Sequence, residues 1–113
     1  MPRTLYRIVS ANPPTRRDFL SHAALGKVPR TPTPELLVRW QATSMFDEKQ
    51  FAQALARQRP HLGRYIATVL IEDGAPFRIR QTGRREHYDV WGDADELLSR
   101  VVATEQAEDE PIY

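Results

Sequence analysis

RYIATVLI (64–71), EDGAP (72–76) and FRIRQ (77–81) follow one another without a gap, and they read as strand, turn and strand. The first run is β-branched and aromatic. It stays apolar on both faces past Thr68, the pattern of a central strand. The second run alternates, with Phe77 and Ile79 on one side and Arg78 and Arg80 on the other. A hairpin in this half of the chain, set among irregularly spaced helices, predicts an α+β fold rather than repeating βαβ units.

Toward the N-terminus, LYRIVS (5–10) is a first strand. Leu5, Arg7 and Val9 share one face, and Tyr6, Ile8 and Ser10 share the other. ANPP ends it, because proline lacks the N–H that a ladder needs. Thr15 with Asp18 forms a capping box for a short helix held to the core by Phe19 and Leu20. GKVPRTPTP (26–34) is a stiff, extended connector. Thr33, Pro34 and Glu35 start the next helix, with Leu36, Leu37 and Trp40 as its apolar stripe. ATSMF (42–46) is a short strand. Asp47 and Gln50 then cap a helix that turns Phe51, Ala54 and Leu55 to the core and exits at Pro60 and Gly63.

Toward the C-terminus, Asp93 with Glu96 caps a short helix through Leu97 and Leu98, and VVAT (101–104) is a last strand. EQAEDEPIY has little to bury and reads as a flexible acidic tail. The expectation is one α+β domain over residues 1–104, with a mixed or mainly antiparallel sheet and three to four short helices. The tail takes residues 105–113.

A chain of 113 residues suits a single core. It has no cysteine, which excludes disulfides and thiolate chemistry. No apolar run reaches the ~20 residues of a membrane span, and no signal-like segment opens the chain. The expectations are a cytoplasmic location and no membrane partner. Residues 1–34 hold six basic side chains against Asp18 alone, whereas residues 92–113 hold seven acids against Arg100 alone. The two ends either neutralise each other or offer separate surfaces to a protein partner. An RNA-binding reading through Arg16, Arg17, Lys27 and Arg30 lacks an RNP-like or helix–turn–helix signature, so nucleic acid is not favoured.

Chemistry-bearing residues concentrate in GRREHYDVWGDADELL (83–98). DADE is a helix N-terminus and Trp91 is an apolar plug over a turn. His87 can serve as acid, base or anion donor, and Tyr88 and Trp91 can stack on a planar ring. On a strand, His87 and Asp89 would share a face and Tyr88 would take the other. Arg7 sits among apolar residues. It either points to solvent or needs an anion, for which a guanidinium offers a bidentate fork. Nothing in the spacing of His22, His61 and His87 favours a metal site.

The order LYRIVS, ATSMFDEKQFAQALA, GRYIATVLIEDG resembles the small ADP-ribosyltransferase-like domains, bacterial toxin versions included. The resemblance implies NAD as ligand and substrate, with no metal. Arg7 would hold its pyrophosphate, Ser44 its nicotinamide ribose, and Tyr65 or Tyr88 would stack on nicotinamide. The family's third element is a glutamate in a Glu-x-Glu or Gln-x-Glu pair on a strand, and none of the strands read from this sequence carries such a pair. Glu86, His87 and Glu96 are the available substitutes. Glu86 or His87 would carry the catalytic role, because Glu96 already completes a capping box. The other implied role is a non-catalytic protein-interaction module, such as a toxin–antitoxin or regulatory partner.

Overall fold

The computed structural model describes residues 2–107. Six strands, β1 (Arg3–Val9), β2 (Thr43–Phe46), β3 (Tyr65–Ile71), β4 (Arg78–Gln81), β5 (His87–Trp91) and β6 (Val101–Gln106), form one sheet. Its order is β4-β5-β2-β1-β3-β6, and all its ladders are antiparallel. Three helices, α1 (Pro34–Trp40), α2 (Lys49–Gln58) and α3 (Ala94–Leu98), accompany it, with 3-10 turns at Arg16–Phe19 and Pro60–Leu62. The domain is α+β, with the sheet dominant.

Strand alternation divides the core in two. Leu5, Val9, Met45, Ala67, Val69 and Val90 face one side, where Phe19 of the first 3-10 turn and Ala94 and Leu97 of α3 cover them. Ile8, Phe46 and Ile66 face the other side, under Ala52 and Ala56 of α2. Small alanines let α2 approach the sheet closely. Phe51 and Leu55 flank that contact half-buried, and Ala54 is exposed. The buried stripe of α2 is therefore rotated from the expected Phe51, Ala54, Leu55 face. Its N-cap is Glu48 rather than Asp47, with no side-chain cap bond. The Thr33 and Asp93 caps form as the sequence indicates, accepting from the amides of Leu36 and Glu96, each at 3.1 Å.

Pairing departs from the local reading. β3 and β4 are consecutive but lie far apart in the sheet, since β3 pairs with β1 and β6. The hairpin partner of β4 is β5, which spans the stretch read as turn and plug. β3 is paired on both sides, yet it stands next to the edge, with β1 and β2 at the centre.

β6 runs two residues past Thr104. Glu105 pairs with Ile66 and Gln106 with Tyr65, and the Ala107 amide donates to the Arg64 carbonyl at 2.8 Å. Ala107 is buried beside α2, and Glu105 meets Lys49 at 2.7 Å. Residues 105–107 thus belong to the domain, not to a tail; the rest of the expected tail, 108–113, lies outside the described residues. Truncation after Thr104 should cost about 2 kcal/mol, since each lost ladder bond contributes about 0.5–1.5 kcal/mol. That corresponds to a melting temperature lower by roughly 10 °C. Truncation after Ala107 is the control, and equal melting temperatures for the two would contradict the docking of 105–107.

Candidate functional site

β1 and β2 share one register pair, Tyr6 with Phe46, although β1 continues to Val9. The strands part beyond it, and Arg7 reaches into the opening. Its Nε donates to the Asp18 carbonyl at 3.0 Å and its Nη1 to the Ser44 carbonyl at 2.8 Å. Burial pulls the guanidinium down to about 10, opposed by the charge of Asp18, so Arg7 stays protonated at neutral pH. Asp18 is itself buried and accepts from the Ser10 amide (2.7 Å), the Ser10 hydroxyl (2.6 Å) and the Thr15 amide (3.0 Å). Arg7 is therefore a brace between β1, β2 and the 3-10 turn. Two of the donors that the sequence assigned to a pyrophosphate are engaged by backbone carbonyls.

The opening continues into a cleft of about 520 Å³. α1 forms one wall, supplying Leu36, Arg39 and Trp40. The segment after the 3-10 turn supplies His22, Leu25 and Lys27, and Ser44, His87 and Asp89 line the sheet side. α1 buries no residue completely. Polar contacts seat it instead: Trp91 Nε1 donates to the Val38 carbonyl at 3.0 Å, and the Arg39 guanidinium meets Asp89 at 2.9 Å. Among the lining residues, the rings of His22 and Trp40 lie 4.6 Å apart at 30°. Four cations border the space, Arg7, Arg17, Lys27 and Arg39, against two carboxylates, Asp18 and Asp89. Burial, then the charges of Lys27 and Arg7, hold His22 below its ordinary 6.5, as expected beside excess positive charge.

On the sheet side the register places Ser44 opposite Asp89 and Phe46 opposite His87, so Ser44 and His87 are diagonal neighbours on one face. The Ser44 hydroxyl is hydrogen-bonded to His87 Nε2. His87 Nδ1 lies 3.1 Å from the Thr82 carbonyl and 3.1 Å from the Thr82 hydroxyl. That hydroxyl donates its proton to Asp89 Oδ2 at 2.9 Å, and Asp89 is 4% exposed. With its proton committed, Thr82 presents only acceptors to the ring. In the neutral imidazole Nδ1 therefore carries the hydrogen, and Nε2 is the lone pair that receives the Ser44 hydroxyl. The result is a continuous chain from Arg39 through Asp89, Thr82 and His87 to Ser44.

The six residues singled out from the sequence separate into two groups. Arg7, Ser44 and His87 come together at this cleft, across separations of 37 and 43 positions. Tyr65 lines a different cleft of about 490 Å³ near Arg57 and Arg64. Tyr88 is on the opposite sheet face from His87, against the core and 5.5 Å from the Arg3 guanidinium. Glu86 sits in the turn before β5, where its carbonyl accepts from the Asp47 amide, and it does not line the cleft. Glu96 is ion-paired to Arg100 at 2.9 Å on α3. Tyr65, Tyr88 and Glu86 thus lie away from the cleft that gathers Arg7, Ser44 and His87; for Tyr88 the reason is strand alternation, which turns it and His87 to opposite faces.

Thr82, Asp89 and Arg39 are site residues that the sequence reading passed over, apart from placing Asp89 on the His87 face. The HxD spacing of His87 and Asp89 on one strand face was the available signal. Thr82 and Arg39 carried none, being 7 and 50 positions from Asp89. No group of three or more potential metal-ligating side chains occurs among the described residues, and no described helix is long and apolar enough to cross a membrane. No protein-family model, curated protein or solved structure matches this chain.

Proposed function

We propose that the cleft binds a nucleotide with adjacent phosphates, NAD being the ligand that the sequence resemblance favours. The observation that carries this reading is the convergence of Arg7, Ser44 and His87 on one cation-bordered cleft. Arg17 and Lys27 supply charge for the phosphates, and the Trp40–His22 pair offers a flat surface for a ring. Ser44 would meet a ribose hydroxyl. A volume of about 520 Å³ lies within the range of small-ligand sites. ADP-ribosyl transfer would develop positive charge on the sugar, where a carboxylate helps. The carboxylates at hand are Asp18 and Asp89, both already committed, so the reading centres on binding. Transfer, and with it a toxin or modifier role inside a cell, is its extension.

Thermal denaturation with NAD, ADP-ribose and a short RNA tests it. A binder present at a hundredfold excess over Kd gains about 2.7 kcal/mol. The R17A/K27A double variant should lose most of that gain while keeping the ligand-free melting temperature. No gain with either nucleotide overturns the reading, and a gain with RNA alone replaces it. A protein-interaction module is favoured by one observation: β6 is a sheet edge with Val102 61% exposed, a surface suited to strand addition.

A further inference from the structure

We propose that Ser44 is a nucleophile, with His87 as its base, acting on the phosphorus of an anionic phosphoester bound in this cleft. A serine hydroxyl is a weak nucleophile until a base within hydrogen-bond reach can take its proton and a third group orients that base. Both conditions are met. Ser44 Oγ bonds Nε2, the unprotonated nitrogen, and Thr82 holds Nδ1–H at 3.1 Å through two acceptors. Asp89, ion-paired to Arg39 at 2.9 Å, accepts the hydrogen bond of the Thr82 hydroxyl and so would stabilise the imidazolium that forms. Ser44 opens onto the cleft, so the pair is accessible.

The substrate class follows from the surroundings. Arg17, Lys27 and Arg39 border the same cleft, and displacement at phosphorus spreads negative charge over non-bridging oxygens that such cations stabilise. In the first step the Ser44 Oγ–P bond forms, the Oγ proton passes to His87 Nε2, and the P–O bond to the leaving alcohol breaks. The alcohol departs with the proton from Nε2. In the second step water attacks phosphorus, His87 accepts its proton, the Oγ–P bond breaks, and the proton returns to Oγ. Atoms and charge balance with water as the sole co-reactant. The substrate class rests on the anion-binding reading above, whereas the nucleophile rests on the hydrogen-bond chain alone.

An alkyl fluorophosphonate probe tests the nucleophile, because attack by Ser44 forms the Oγ–P bond, expels fluoride and leaves a stable adduct. Intact-mass analysis should show one adduct, and peptide mapping should place it on Ser44. Ser44→Ala should abolish it, and His87→Gln should slow it at least ~100-fold. Thr82 is a positioning residue: Thr82→Val should slow labelling roughly 10-fold and Thr82→Ser should restore it, a rescue that a merely structural role would not produce. Melting curves identify variants that fold. No adduct on Ser44 under conditions that label a serine hydrolase overturns the proposal, as does an unchanged rate in folded His87→Gln or Thr82→Val. A nucleotide-induced stability gain without any adduct removes the nucleophile and leaves the binding reading; an adduct without that gain does the reverse.

Discussion

Asp18→Ala should lower the unfolding free energy by about 3 kcal/mol, measured by urea denaturation. Asp18 is 8% exposed, its carboxylate joins three donors from Ser10 and Thr15, and its charge offsets the desolvated Arg7. Removing it strands those donors and leaves the guanidinium without its nearest counter-charge. Burial alone would raise the Asp18 pKa. The bonds from Ser10 and Thr15, then the charge of Arg7, outweigh burial and hold it below 3.8. A folded-state pKa below the unfolded one stabilises the protein above the unfolded value. That contribution is lost as pH falls from there through the folded value. The wild-type chain should therefore lose stability on that acid limb, and Asp18→Asn should flatten it. Parallel acid limbs in the two proteins, or a loss below 1 kcal/mol in Asp18→Ala, would contradict the role of Asp18 as the acceptor that organises the turn.

Gly63→Ala should be of comparable or greater severity. Gly63 has φ of +148°, and a Cβ there would stand 2.4 Å from the Val9 carbonyl oxygen and 2.7 Å from its carbon. The conformation costs a non-glycine residue about 1–3 kcal/mol, and forcing backbone apart costs about 1–3 kcal/mol more. The exit from the second 3-10 turn passes this close because β3 must start directly beside the end of β1, where Val9 pairs with Tyr65. An expected loss of several kcal/mol would appear in the same urea titration, and a change under 1 kcal/mol would mean that the two strands approach differently. Gly26→Ala is the informative contrast: φ is +78° but nothing lies within 4 Å of the added Cβ, so only the conformational cost applies.

Both substitutions act where β1 ends, and that region also builds the cleft. The ladder between β1 and β2 opens after a single pair, and Arg7 substitutes side-chain donors for strand pairing. The opening gives the sheet a recess beside Ser44, so the brace and the cleft have one origin. Arg7 was noticeable in the sequence because a charged side chain interrupts an apolar strand. Its partners were not, because the Asp18 and Ser44 carbonyls belong to the backbone and leave no mark in the residue pattern.

The sequence by itself determined the local elements. The Thr33 and Asp93 caps, the alternation in LYRIVS and FRIRQ, and the α+β class all follow from short-range preferences that act over a few residues. The order of strands was decided only in the tertiary structure. β3 joins β1 and β6 rather than β4, since burying Ile66, Ala67 and Val69 between two ladders outweighs the shorter loop. The path of residues 83–91 was decided there too, because β5 exists through its pairing with β2 and β4. Pairing β2 with β5 brought Ser44 and His87 to one face and sent Tyr88 to the other. Closing the β4–β5 hairpin set Thr82 beneath the imidazole, and seating α1 brought Arg39 to Asp89. A site made of side chains up to 50 positions apart depends on register, and register is fixed by the shared core rather than by any segment alone.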